Sequence, residues 1–260
     1  MDCFAAALKA GVARLASSSP RTAIVTGAGK RVGRTIAEAL LARGWTVVAH
    51  VHHDGDGVPE GAVKVAADLQ DQESAEAIIA AASGLPPLRL LVNNAARFTW
   101  DGPGEFSAKE FDSHMAVNLR TPVALTDLFA ALQDGDADSL VVNILDSKVA
   151  APNPDYLSYT LSKLGLAQWT ELAARAFAGR RVRVNAIAPA LMLRSPGQSE
   201  ENYAAMHAAN PLRRGVEPAD VCDAVLYLVD ARTVTGQVLV LDSGQRFLGL
   251  DHDVQFLGNE

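Results

Sequence analysis

The chain has 260 residues, of which 49% are hydrophobic, and a formal net charge of −7. This length and apolar content suit one large α/β domain, and the negative charge argues against a nucleic-acid-binding surface. No apolar run approaches the roughly 18 residues that a membrane-spanning helix needs, so we expect no membrane partner. The two cysteines, Cys3 and Cys222, are too few for a disulfide framework, which favours a reducing compartment such as the cytoplasm.

Strand-like and helix-like segments alternate along most of the chain. The predicted strands are 22–26, 46–51, 62–66, 88–92, 140–145, 182–187 and 238–241. The predicted helices are 34–43, 72–82, one or two within 108–132, 156–178, 200–209 and 218–230. Continuous apolar strands between helices indicate a parallel sheet covered on both faces. The pattern therefore predicts a single doubly wound Rossmann domain, 20–250, with seven parallel strands and helices on both faces.

Two segments flank this domain. Residues 1–19 are rich in alanine and end in serines before Pro20. We interpret them as a loose N-terminal arm that need not be ordered, with an organelle transit peptide as the alternative. Residues 251–260 are expected to form a C-terminal tail.

The first strand leads into a glycine loop, Thr26-Gly27-Ala28-Gly29-Lys30-Arg31-Val32-Gly33, that opens the first helix. Glycines let the backbone approach a phosphate, and a helix N-terminus adds free N–H groups and the positive end of its dipole. This arrangement is typical of dinucleotide binding, and the two basic side chains suit extra negative charge. The expected cofactor contacts in this loop are Gly27, Lys30, Arg31, Val32 and Gly33.

The end of the second strand, residues 48–53, contains three histidines and no acid. An NAD enzyme usually has Asp or Glu there to bind the ribose 2′-OH, whereas a 2′-phosphate is attracted to basic groups. We therefore predict NADPH, held at this end by His50 and His52. NADH stays open if Asp54 or Asp56 folds back onto the ribose. His50 and His52 share a strand face, but no further group completes a metal site, so none is predicted.

Polar residues also follow later strands, at the edge where an open parallel sheet binds ligands. Near this edge, Tyr159 and Lys163 stand four residues apart on one helix face. An ammonium group beside a phenol lowers the phenol pKa, which would let Tyr159 exchange a proton near neutral pH. An isolated pair of this kind is more often a surface contact. Tyr156 is set aside because Thr160, not a lysine, stands four residues after it.

With these motifs in this order, the chain resembles the short-chain dehydrogenases/reductases over roughly residues 21–245. The resemblance implies that Tyr159 is the proton donor, that Lys163 holds the nicotinamide ribose and tunes the tyrosine, and that Asn118 supports a proton-relay water. It also implies a homotetramer, because the region around the last strand packs between subunits in that family. The further cofactor contacts it implies are Asp68 at the adenine, Asn94, Ala95 and Pro189.

Three departures from the common family pattern resemble its pteridine reductase branch. Arg31 replaces the middle glycine of the loop, and Asp146 replaces the serine usually found thirteen residues before the tyrosine. Ser147, twelve residues before it, is the alternative. Phe98 stands where an aromatic ring would lie near the nicotinamide. The substrate contacts implied are Arg31, Phe98, Asp146, Tyr159 and Leu191.

The predicted reaction is therefore NADPH-dependent reduction of a dihydropterin. Reducing a C=N bond needs hydride at carbon and a proton at nitrogen, and a shielded carboxyl can supply a proton better than a serine hydroxyl. Ionised Asp146 would instead bind the 2-amino group and N3 side of the pterin, and both roles stay open. The alternatives are a carbonyl reductase of the same family, acting on a 3-oxoacyl thioester or another ketone, and a non-catalytic dinucleotide sensor.

Overall fold

The computed structural model describes residues 19–194 and 198–256. Nearly all of the predicted arm, residues 1–18, and residues 257–260 of the predicted tail lie outside this part of the chain. In the described residues, seven strands form one parallel sheet in the order β3-β2-β1-β4-β5-β6-β7. The strands are β1 Thr22–Val25, β2 Thr46–Val51, β3 Val63–Ala66, β4 Leu88–Asn93, β5 Ser139–Ile144, β6 Val182–Pro189 and β7 Val238–Leu241.

The α-helices of the described part connect these strands. They are α1 Arg31–Ala42, α2 Ser74–Ala80, α3 Ala108–Met115, α4 Thr121–Ala131, α5 Leu157–Phe177, α6 Glu200–His207 and α7 Pro218–Asp230. No helix in residues 19–194 or 198–256 is both long and apolar enough to cross a membrane.

Both faces of the sheet are buried, which confirms the predicted doubly wound architecture. Successive strand side chains point to opposite faces. Val25 of β1 packs into a core shared with Ile36 of α1 and Val225 of α7. Its neighbour Ile24 packs into the opposite core, with Leu125 of α4 and with α2 and α5. Strands covered in this way need apolar residues at every position, which is why they read as continuous apolar runs.

The bounds differ from the predicted ones at three places that matter for the site. Helix α1 begins at Arg31 rather than residue 34, and β6 runs through Pro189. The predicted helical stretch 108–132 divides into α3, a π-helical turn Ala116–Arg120 and α4. Pro122 lies in the first turn of α4, and because proline has no backbone N–H it interrupts the regular α-helical bonding.

The order of the strands reverses between β1 and β4, and the glycine loop lies at this switch point. The Asn94 side chain donates to the Thr26 carbonyl at 2.8 Å, which ties the two strand ends together. Gly33 lies so close to both that an added Cβ would stand 2.2 Å from the Gly27 oxygen and 2.5 Å from Asn94 Nδ2. Only glycine fits this contact.

We predict that Gly33→Ala lowers the free energy of unfolding by about 1–3 kcal/mol, because the new methyl group forces the loop away from β4. The control is Gly179→Ala, since a Cβ at Gly179 would meet nothing within 4 Å. Chemical denaturation of both variants measures the effect. Equal stability of the two variants would contradict the close approach.

Candidate active site

The carboxyl ends of the central strands surround a cavity of about 630 Å³. It extends from the glycine loop to the start of α5. Within the described residues, every predicted site residue lines it except Asn118. The lining members are Gly27, Lys30, Arg31, Val32, Gly33, His50, His52, Asp68, Asn94, Ala95, Phe98, Asp146, Tyr159, Lys163, Pro189 and Leu191.

The glycine loop has the shape that a dinucleotide phosphate requires. Gly27 has φ +66°, and an added Cβ there would lie 3.0 Å from the Ala95 Cα. Helix α1 begins at Arg31, within the loop, so its free N–H groups face the cavity end where Lys30 and Arg31 also lie. The absence of side-chain bulk, the free donors and the positive charge together fit a pyrophosphate group.

Arg31 has a backbone conformation that favours glycine. Its φ is +54°, in the left-handed region, where a side chain costs roughly 1–2 kcal/mol. Arg31 is exposed and lines the cavity. Strained residues of this kind cluster at functional sites, and because Arg31 also lines the cavity its guanidinium group is a candidate ligand contact.

The His50 ring connects the glycine loop to the residue that follows β3. Its Nδ1 accepts a hydrogen bond from the Gly27 N–H at 3.2 Å, and its Nε2 lies 3.0 Å from the Ala67 carbonyl oxygen. The tautomer with the proton on Nε2 satisfies both contacts, and burial lowers the pKa of the ring, which favours the neutral form. With both nitrogens engaged, His50 positions the loop, which differs from the direct phosphate contact expected from the sequence.

His52 is more exposed and lies at the cavity edge, with Nε2 3.5 Å from Asp68 Oδ2. The Gln70 backbone N–H holds the pKa of Asp68 below its usual value. Asp54 pairs with Lys64 at 3.4 Å, whereas Asp56 accepts from the His53 N–H and lines the cavity. No cluster of three or more potential metal ligands occurs among the described residues.

At the α5 end of the cavity, two acidic side chains, a phenol and a carboxyl group, are hydrogen-bonded to each other. The Tyr159 hydroxyl donates to Asp146 Oδ2 at 3.1 Å, while Asp146 Oδ1 accepts from the Lys148 N–H at 2.9 Å. Burial raises the pKa of Asp146. Burial and then the Asp146 charge raise the pKa of Tyr159 well above its usual value. Asp146, not Ser147, therefore contacts the tyrosine, and both acids have an increased tendency to hold their protons.

The expectation that Lys163 lowers the Tyr159 pKa is wrong for this arrangement. The Lys163 ammonium donates to the Ile144 carbonyl at 2.7 Å and lies 5.6 Å from the centre of the Tyr159 ring. Burial lowers the pKa of Lys163 to about 8. Burial and then the Asp146 charge raise the pKa of the phenol, so Tyr159 holds its proton in this arrangement.

Asn118 lies behind the site, in the π-helical turn. Its side-chain amide donates to the Arg97 carbonyl and to Ser162 Oγ, both at 3.0 Å, and its Oδ1 accepts from the Arg97 N–H at 2.8 Å. Both amide protons are therefore used to hold residue 97 and helix α5. Asn118 fixes the segment that leads to Phe98, and its role toward a relay water remains a prediction.

Sequence reasoning missed part of the aromatic cluster next to this pair. Phe98 stacks on Tyr156, with ring centres 4.1 Å apart, and meets Tyr159 edge-on at 4.8 Å. Tyr156 is the N-cap of α5 with φ +55°, so helix-face spacing does not apply to it. Phe98 remains 41% exposed, which leaves ring area for a ligand.

The sequence also gave no indication that residues near position 250 reach this cavity. Leu250, His252, Asp253 and Val254 line it, and the Lys148 ammonium lies 2.9 Å from Asp253 Oδ2. The position of Lys148 two residues after Asp146 was the one feature of the sequence that could have indicated an ion pair near this site. Its partner is about a hundred residues away in the chain, beyond the reach of local patterns.

The chain is similar to known proteins along most of its length. L-xylulose reductase from Bos taurus is 32% identical over 236 residues, covering 86% of this chain and 96% of that protein. Dihydromonapterin reductase from Klebsiella pneumoniae is 28% identical over 241 residues, covering 89% and 99%. The crystal structure of FolM alternative dihydrofolate reductase 1 from Brucella suis, in complex with NADP, superposes with a TM-score of 0.80 at 36% identity. That similarity covers 87% of this chain and 95% of the other.

A family model described as enoyl-(acyl carrier protein) reductase matches residues 27–246. This match covers most of the chain and includes the glycine loop, the Asp146–Tyr159 pair and Lys163. The chain therefore belongs to the short-chain dehydrogenase/reductase family, as its motifs predicted, and its relatives include members of the pterin-reducing branch.

Proposed function

We propose that this protein uses NADPH to reduce a dihydropterin to the tetrahydropterin, with Tyr159 and Asp146 delivering the proton. The observation that carries the proposal is the hydrogen bond between these two side chains in the cavity wall. The protein is an NADPH-dependent oxidoreductase, in line with its family and with the NADP-bound FolM structures. The choice of a pterin is the finer part of the proposal.

The glycine-loop end of the cavity and the residues next to it would hold the cofactor. The glycine loop and the N-terminus of α1 suit the pyrophosphate, and Lys30, Arg31 and His52 suit the 2′-phosphate. Lys163 reaches the nicotinamide ribose in this scheme, beside Asn94, Ala95 and Pro189 in the cavity wall. When bound, NADPH supplies the hydride. Asp56 also lines this end of the cavity, where its carboxylate accepts a backbone N–H from His53 and retains capacity to accept a ribose hydroxyl.

The residues at the α5 end of the cavity would donate and replace the proton. Tyr159 is favoured as the protonated phenol and gives its proton to the substrate nitrogen. Asp146 Oδ2 lies at hydrogen-bonding distance from the phenol oxygen, so a protonated Asp146 restores the proton. General acid–base catalysis of this kind contributes about 10²–10⁴-fold. Phe98 and Leu191 would bound the flat ring of the substrate.

Two alternatives compete with this proposal. A carbonyl reductase is favoured by the similarity to L-xylulose reductase, and it would need Tyr159 and Lys163 but not Asp146. A non-catalytic sensor would bind NADPH without turning over any substrate. The retention of the complete proton-transfer set argues against the sensor.

We predict that Asp146→Asn lowers kcat for dihydrobiopterin by about 100-fold, because an amide keeps the shape of the carboxyl but cannot relay a proton. In the wild type, kcat should fall as the pH rises through the raised Asp146 pKa, since the protonated carboxyl is lost. This fall in kcat with rising pH should be absent in Asp146→Asn. The control is Ser147→Ala, which should turn over normally. Unchanged kcat in Asp146→Asn would contradict the assigned role.

We predict that Arg31→Gly weakens NADPH binding by about tenfold, which is the loss of roughly one charge-assisted contact. Because glycine relieves the strain at φ +54°, the fold should be retained. The matched control is Arg181→Gly, since Arg181 also has a left-handed backbone, φ +56°, but does not line the cavity. Fluorescence titration with NADPH distinguishes them. Equal affinity in both variants would show that Arg31 does not bind the cofactor.

We also propose that the protein is a homotetramer and acts in the cytoplasm. Large apolar side chains lie exposed on α5 and near β7, including Leu172 at 60% and Phe247 at 71%. Such surface is suited to burial between subunits. Light scattering coupled to size exclusion should give four times the mass of 27.4 kDa, and a monomer would contradict the expectation.

A further inference from the structure

The segment formed by residues 250–256 covers one side of the cavity. Leu250, His252, Asp253 and Val254 line the cavity together with the catalytic residues, and Val254 is 8% exposed. The segment ends in a 3₁₀ turn, Val254–Phe256. None of the family motifs used above includes it.

A buried lysine anchors this segment. Lys148 is 5% exposed, and its ammonium group contacts Asp253 Oδ2 at 2.9 Å, the Asp155 carbonyl at 3.3 Å and the Asn153 side chain. An ammonium group has three protons, and these contacts use them all. Lys148 is therefore a positioning residue that cannot also donate to a substrate.

The Asp155 side chain holds the same segment through a second set of contacts. Its Oδ2 accepts the Asp253 N–H at 2.6 Å and lies 3.4 Å from His252 Nδ1. Asp155 is 8% exposed, so it is removed from competing water. Asp253 is thus held by its backbone N–H, which Asp155 accepts, and by its carboxylate, which Lys148 contacts.

Aromatic stacking extends from the substrate end of the cavity to this segment. The Tyr156 ring stacks on Phe98 and is nearly parallel to Phe256, with planes 12° apart and centres 6.4 Å apart. Trp100 meets Phe256 edge-on at 5.4 Å. The position of Phe256 is therefore coupled to Phe98, the ring assigned to the substrate.

The anchor is also coupled to the catalytic acid. The backbone N–H of Lys148 donates to Asp146 Oδ1, while its side chain holds Asp253. A displacement of the segment would therefore act on the loop that positions Asp146. The fixed wall limits the room for a long substituent at this end of the cavity.

We infer that residues 250–256 form the outer wall of the substrate subsite, that Lys148 and Asp155 seat this wall, and that it selects a dihydropterin with a short side chain. The inference rests on the proposed function for the identity of the ring. A substrate with a long acidic extension, such as dihydrofolate, would have to displace the wall.

The test compares Asp253→Asn with the control Asp223→Asn, because Asp223 on α7 is exposed, does not line the cavity and lies outside the wall. We expect Asp253→Asn to raise the KM for dihydrobiopterin by about tenfold, corresponding to one weakened ionic anchor, and to leave the Kd for NADPH unchanged. The preference for dihydrobiopterin over dihydrofolate, as the ratio of kcat/KM values, should fall by a similar factor. Asp223→Asn should match the wild type in all three measurements.

Phe256→Ala provides an independent variant, because it removes the stacking contact without leaving a buried charge unpaired. It should raise the same KM, and unchanged KM values and preference in both Asp253→Asn and Phe256→Ala would overturn the inference. If the wild type reduces only a ketone, the proposed function fails. In that case a raised KM for the ketone in both variants would still support the wall, whereas an unchanged KM for the ketone would overturn the wall as well.

Discussion

The hydrogen bond from Tyr159 to Asp146 is the interaction on which the chemistry of this site depends. It places two acids side by side in a buried cavity, where desolvation favours the protonated form of each. A phenol that stays protonated is a donor, which suits reduction. A carboxyl in contact with it is a second proton source, which a serine in the same position would not provide.

The sheet explains why these groups meet. Asp146 follows β5, Phe98 lies beyond β4, and Tyr159 stands in the first turns of α5, so three separate chain segments converge at one sheet edge. The π-helical turn and Asn118 tie two of these segments together. At the other end of the cavity, His50 and Asn94 hold the glycine loop against the neighbouring strands. Hydrogen bonds within the protein therefore hold both ends of the site in place.

Local patterns predicted the fold and most of the cavity lining. Apolar strands, helix spacing and the glycine loop are encoded within short stretches, whereas the assignment of Asp146 beside Tyr159 to the site came from the family resemblance. The sequence did not predict the direction of the Tyr159 pKa shift, because that depends on which group the Lys163 ammonium reaches. It did not reveal the role of Tyr156, because the left-handed backbone places that residue outside the helical pattern. The contact of Lys148 with Asp253 joins residues far apart in the chain, so no local rule could supply it.

The central claim is that the site is built for a pterin rather than a ketone. The most direct test is NADPH oxidation by the wild-type enzyme with dihydrobiopterin and dihydromonapterin, beside L-xylulose and an acetoacetyl thioester. A site with matched polar contacts should prefer the pterins in kcat/KM by about 100-fold or more. Turnover of a ketone at a higher kcat/KM than either pterin would contradict the account and assign the site to carbonyl reduction.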